Sequence, residues 1–124
     1  MADKYRNVLI VEDEATFRSI IARNLRARGV EVAEAEDTRS AFVQLNRRLP
    51  DLMLLDLNLP DRSGWDLMRQ LKSQGVSVPT IIVSAVRVSQ ERLDEFRPLA
   101  YLPKPFPLEA LLRLVGVREE SEVA

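Results

Sequence analysis

The sequence predicts a doubly wound α/β fold: a (βα)5 three-layer sandwich whose parallel five-stranded sheet, in the order 2-1-3-4-5, is covered by helices on both faces. Three observations predict it. Short apolar runs alternate five times with segments of helical period, the pattern of successive βα units. The first, third and fourth runs (Val8-Leu9-Ile10-Val11, Leu52-Met53-Leu54-Leu55 and Thr80-Ile81-Ile82-Val83) are almost continuously apolar, as strands covered on both faces are. The second and fifth runs carry the marks of edge strands. Val30 to Ala35 includes Glu31 and Glu34, and Leu99 to Leu102 is short and bounded by Pro103. Edges 2 and 5 around 1, 3 and 4 fit the order 2-1-3-4-5.

Each element has its own signal. After strand 1, Ala15 to Arg28 places Phe17, Ile20, Ile21 and Leu25 on one helical face, and Gly29 ends it. After strand 2, Asp37 caps a helix carrying Ala41, Phe42 and Leu45. Strand 3 leads to a helix over Gly64 to Ser73, with Leu67, Met68 and Leu71 inward and Gly75 just past its end. Strand 4 is followed by a short helix, Ser89 to Arg97, and strand 5 by a last helix from Pro107 to Val115. Residues 1–7 form a lead-in, residues 8–117 the domain, and residues 118–124 a polar tail expected to fray.

Composition excludes much chemistry. A chain of 124 residues suits one domain and needs no disulfide or metal staple. Without Cys it has no thiol catalysis, iron–sulfur cluster or thiolate zinc site; without His it has no imidazole base and no phospho-histidine of its own. The net charge of −1 offers no general attraction to nucleic acid or anionic membrane. No apolar run approaches a membrane span, and the first seven residues are too polar for a signal peptide, so a cytoplasmic location is expected.

The remaining polar groups fall where such a sheet collects them. All strands point one way, so residues just past their C-terminal ends converge on one crevice. Glu12, Asp13 and Glu14 follow strand 1; Asp56 follows strand 3, with Asn58 two residues on; Ser84 and the small Ala85 follow strand 4; Lys104 follows strand 5. Singly these are ordinary residues: Asp13 a helix cap, Asp56 a turn residue, Ser84 structural, Lys104 a solvated cation. Their joint placement is the signal. Clustered carboxylates repel unless one is protonated or a cation is bound, and an oxygen-only donor set suits Mg²⁺. An Asp beside Mg²⁺, an ammonium and a hydroxyl is placed to attack a phosphoryl group.

Four segments, taken in order, carry a resemblance: Val8-Leu9-Ile10-Val11-Glu12-Asp13-Glu14, then Asp51-Leu52-Met53-Leu54-Leu55-Asp56-Leu57-Asn58-Leu59-Pro60, then Ile82-Val83-Ser84-Ala85, then Tyr101-Leu102-Pro103-Lys104-Pro105-Phe106. Together they resemble the receiver domain of two-component response regulators, chemotaxis-regulator-like and flavodoxin-like in topology. The resemblance spans about residues 6 to 117. It implies that Asp56 accepts phosphate from a sensor histidine kinase or a histidine phosphotransfer protein. Glu12, Asp13, Asp56 and the Asn58 backbone carbonyl would hold Mg²⁺, with Mn²⁺ able to substitute. Ser84 would bond one phosphoryl oxygen and Lys104 another, and the Lys104–Pro105 peptide would be cis. Ser84 would then move, Tyr101 would rotate, and the face made by helix 4, strand 5 and helix 5 would be read by a downstream protein target.

Departures and rivals complete the reading. The stretch from Ser84 to Lys104 is about two residues shorter than in relatives, so a stubby helix 4 is expected. Val86 offers no polar side chain to orient a water, which favours slow-to-moderate self-dephosphorylation. Arg18, Arg23, Arg26 and Arg28 either flank a kinase docking surface or form a solvated face. A Mg²⁺-dependent aspartyl phosphatase of the haloacid dehalogenase class is disfavoured by Asn58, where its acid would stand. A flavodoxin is disfavoured by Glu12-Asp13-Glu14, which would repel the FMN phosphate. A degenerate receiver is disfavoured by the complete acidic cluster. No direct nucleic-acid binding is expected of this chain, nor any enzyme activity beyond self-phosphorylation and self-dephosphorylation. A stand-alone receiver, monomeric or weakly dimeric, is favoured over one part of a longer protein.

Overall fold

The computed structural model describes residues 5–117. Five parallel strands, β1 (Asn7–Val11), β2 (Glu31–Ala35), β3 (Leu52–Asp56), β4 (Thr80–Ser84) and β5 (Ala100–Pro103), lie in the order β2-β1-β3-β4-β5. Five helices alternate with them: α1 (Ala15–Ala27), α2 (Thr38–Arg47), α3 (Gly64–Ser73), α4 (Gln90–Phe96) and α5 (Leu108–Val115). The expected order is therefore the observed one.

The continuous apolar runs have a direct geometric cause. Successive strand residues point to opposite faces, and both faces are covered, so both need apolar side chains. On one face Val8, Ile10, Leu52, Leu54, Ile81 and Val83 pack with Ile21 and Leu25 of α1 and Leu111, Leu112 and Val115 of α5. On the other, Leu9, Val11, Met53, Leu55 and Ile82 pack with Ala41, Leu45, Leu67 and Leu71 of α2 and α3. Ile20 departs from expectation at 45% exposed. Neighbouring helical positions are about 100° apart, and the buried stripe runs through Ile21, Ala22 and Leu25 instead.

Boundaries shift by a residue for local reasons. β1 starts at Asn7 because the Asp51 carboxylate accepts from the backbone N–H groups of Arg6 and Asn7 at 3.0 and 3.1 Å, while Asp51 N–H donates to Asn7 O at 2.8 Å. Tyr5, expected to lie in the lead-in, is buried in the core. Asp56 and Ser84 are the last residues of their strands rather than the first beyond them. β5 is displaced to 100–103, and α1 ends at Ala27. Ser89 caps α4 from outside, and Arg97 closes it in the left-handed conformation at φ 48°, which leaves a seven-residue helix with no buried residue. Asp37 caps α2 as expected, reciprocally with Ser40. The tail at 118–124 lies outside the described residues, as do residues 1–4. Among the described residues no helix is long and apolar enough to cross a membrane.

Candidate functional site

Sheet register assembles the site. Asp56 pairs with Val83, Ser84 with Pro103, and Val11 with both Leu55 and Ala35, so Glu12, Asp56, Ser84 and Lys104 emerge along one edge. Backbone bonds carry the alignment past the strands: Glu12 N–H donates to Ala35 O at 2.9 Å and Lys104 N–H to Ser84 O at 2.8 Å. The Glu12 carbonyl accepts from Arg18 Nη1 at 2.7 Å, and the same guanidinium donates to Glu34 through Nε at 3.1 Å. Arg26 also pairs with Glu34, at 3.2 Å. Arg18 and Arg26 of α1 thus brace the β1 and β2 ends.

At the centre, Lys104 Nζ donates to Glu12 Oε1 at 2.7 Å and to Asp56 Oδ2 at 3.1 Å. Asp56 is 6% exposed, and its other oxygen accepts from Asn58 N–H at 3.0 Å. Glu12 Oε2 accepts from Glu14 N–H at 3.1 Å. Asp13 is exposed at the rim, yet one carboxylate oxygen each from Glu12, Asp13 and Asp56 lies within 4.8 Å of the others. Glu14 turns away to cap α1, accepting from Phe17 N–H at 2.6 Å.

This is a charge-frustrated pocket. Burial, with the nearby Asp56 charge, raises the Glu12 pKa from 4.5 to about 7 even though the bonds from Lys104 and Glu14 act the other way. Lys104 is pushed down by burial, but its bonds to Glu12 and Asp56 and their charges outweigh that and raise its pKa. One ammonium faces three carboxylates. A hard divalent cation would relieve the remaining repulsion, and the all-oxygen donor set fits Mg²⁺.

Ser84 and Tyr101 bond to the backbone of the loop after β4. The Ser84 hydroxyl donates to Val86 O at 2.8 Å and accepts from Val86 N–H at 3.0 Å, folding the loop after β4 onto itself. Tyr101 OH donates to that same Val86 carbonyl at 3.3 Å while its ring packs on the core beneath. One carbonyl therefore links the two side chains. The Lys104–Pro105 peptide is cis.

Three tertiary contacts have no signal in the local sequence pattern. Gly64 starts α3 as expected, and a Cβ there would lie 2.8 Å from Asp56 O and 3.0 Å from Leu57 Cα. Gly64 N–H donates to Leu57 O at 2.9 Å, so α3 packs directly on the backbone that carries Asp56. Asp61, on the loop between β3 and α3, accepts from Thr38 N–H, Thr38 Oγ1, Arg39 N–H and Arg62 N–H. Burial raises its pKa, but these four bonds outweigh that and lower it to about 2. Phe17 packs against the core on the α1 face as expected, and its ring also lies 4.8 Å from Lys104 Nζ. Gly64 is visible in the sequence as a glycine closing the loop after strand 3 and Phe17 as a core-face residue, but neither close contact is.

Residues 8–116 match the response regulator receiver domain family. The virulence transcriptional regulatory protein PhoP of Salmonella typhimurium strain LT2 is 37% identical over 107 residues, covering 85% of this chain and 48% of that protein. The transcriptional regulatory protein PhoP of Escherichia coli K12 is 35% identical over the same length. The chain spans about half the length of the curated relatives it matches. Among solved structures, the receiver domain of Francisella response regulator 1452 superposes with a TM-score of 0.81 at 26% identity, covering 89% of this chain and 93% of that one. The non-phosphorylated HemR receiver domain of Leptospira biflexa gives 0.79 at 28% identity, covering 91% and 96%.

Proposed function

Because the chain belongs to the response regulator receiver domain family of two-component systems, we propose that Asp56 is its phosphoryl acceptor. The observation that carries this is the buried Asp56 carboxylate, held 3.1 Å from Lys104 Nζ and within one ligand shell of Glu12 and Asp13. The donor is the phospho-histidine of a sensor kinase or a histidine phosphotransfer protein. An Asp56 oxygen attacks phosphorus; the new P–O bond forms as the P–N bond breaks, and the imidazole leaves with the electron pair and takes up a proton.

Glu12, Asp13, Asp56 and the Asn58 carbonyl would hold Mg²⁺ or Mn²⁺, which when bound neutralises charge on the phosphoryl oxygens. Lys104 pairs with a second phosphoryl oxygen. Ser84 leaves the Val86 carbonyl for a third, and Tyr101, which shares that carbonyl, follows the loop. The product carries nearly two negative charges where one stood. The changed surface of α4, β5 and α5 is then read by a downstream protein. In this reading residues 8–117 act as one cytoplasmic receiver, monomeric or weakly dimeric, without direct contact to nucleic acid and without turnover of external phosphate esters.

The test is intact-protein mass after incubation with Mg²⁺ and acetyl phosphate. One added phosphoryl group is expected in the wild type, none in Asp56→Asn and none with excess chelator. Steady release of phosphate from many esters would instead show a phosphatase and overturn the assignment.

A further inference from the structure

Lys104 has a third neighbour besides its two carboxylates. Its ammonium lies 4.8 Å from the centroid of the Phe17 ring. Phe17 is held at both its backbone and its ring. Phe106, two residues past Lys104, meets it edge-on at 5.7 Å and 75°. Its backbone is held by the Glu14 cap at 2.6 Å. Phe17 is therefore a fixed ring whose face supports the lysine, on an element separate from the strand ends that carry the carboxylates.

The carboxylates and the ring differ in what they do during the reaction. Glu12 and Asp56 hold Lys104 in the resting protein, but a bound cation and a phosphoryl group would each compete for those carboxylates. An aromatic face attracts an ammonium through its quadrupole and offers no oxygen that a metal or a phosphoryl group could claim. It remains when the carboxylates turn away.

We propose that Phe17 is a positioning residue for phosphoryl transfer: its ring keeps the Lys104 ammonium beside Asp56 when Glu12 and Asp56 no longer hold it. The proposal rests on Asp56 being the acceptor. Held there, the ammonium meets the incoming phosphoryl oxygen without first losing rotamer freedom, which is the advantage of a preorganised donor.

The experiment compares wild type, Phe17→Leu, Phe17→Tyr, Lys104→Met and the Phe17→Leu/Lys104→Met double variant. Phosphorylation by acetyl phosphate at saturating Mg²⁺ is followed by intact mass, and the Lys104 side-chain Hε resonances are followed by NMR. Phe17→Leu is expected to slow phosphorylation on the order of fivefold, the scale of a partly desolvated cation–π contact. Phe17→Tyr should restore the rate, and the leucine substitution should have no further effect in the Lys104→Met background. In wild type the Lys104 Hε protons should stay ring-shielded after loading with Mg²⁺ and beryllofluoride, and Phe17→Leu should abolish that shielding. Loss of shielding on loading would overturn the proposal. So would an unchanged Phe17→Leu rate, or an equal fall with and without Lys104. A wild type that takes no phosphoryl group would instead overturn the Asp56 assignment, and this proposal with it.

Discussion

Glu12 shows at a single residue how the site is tuned. It lies one position past β1, with its side chain almost wholly buried, and it meets both an ammonium and a second carboxylate. Burial raises its pKa from 4.5 to about 7. A carboxyl with a higher pKa folded than unfolded binds its proton more tightly when folded, so its stabilising contribution is complete below 4.5 and is lost as pH rises through about 7. Metal-free protein in chelator should therefore lose urea resistance between pH 5 and 7.5, and Glu12→Gln should flatten that slope. A slope unchanged by the substitution would place the titrating group elsewhere. The acidic run after strand 1 was visible in the sequence, but the division of labour within it was not. Glu12 turns into the pocket, Asp13 stays at the rim and Glu14 caps α1, and only the fold decides which does which.

At the scale of elements, two packing contacts hold α3 and α4 in place. The first is α3 against the end of β3, where Asp56 leads into the following loop. Gly64→Ala would drive a methyl group into the Asp56 carbonyl, and a shift of packed backbone costs about 1–3 kcal/mol. The variant should unfold at lower urea and accept phosphate more slowly, because the loop must move to admit it. Unchanged stability would mean the loop yields freely. The second is α4, short and with no buried residue, whose Phe96 stacks on Trp65 of α3 at 5.1 Å and 17°. Arg69 and Lys72 lie over the same Phe96 ring at 5.5 and 5.9 Å. Aromatic pairs give about 0.5–1.5 kcal/mol beyond burial, so Phe96→Ala should speed amide exchange throughout α4 while leaving β1 and β3 protected. Equal deprotection of the sheet would show that α4 is part of the global core. The brevity of α4 was legible from the short span between Ser84 and Lys104; its aromatic anchor was not, because Trp65 and Phe96 are 31 positions apart and no local period relates them.

The whole molecule explains why so much of the architecture could be read in advance. A doubly wound sheet converts chain order into position: strand ends that share an edge must carry the site, and Glu12, Asp56, Ser84 and Lys104 are the polar residues that fall there. Contacts made by the unforced parts of the chain stayed hidden. The Val86 carbonyl that joins Ser84 to Tyr101, the Phe17 ring under Lys104 and the close approach of Gly64 to Asp56 all depend on tertiary distances. Ile20 marks the limit of periodicity itself, since a helix pattern names a face only to within one residue.

The proposed signalling by this domain requires one carboxylate, that of Asp56, to receive the phosphoryl group. Treating the acetyl phosphate-loaded protein with borohydride reduces an acyl phosphate to an alcohol, and peptide sequencing then shows which residue changed. Homoserine at position 56 alone is the predicted result. Reduction at position 12 or 13, or at none, would contradict it.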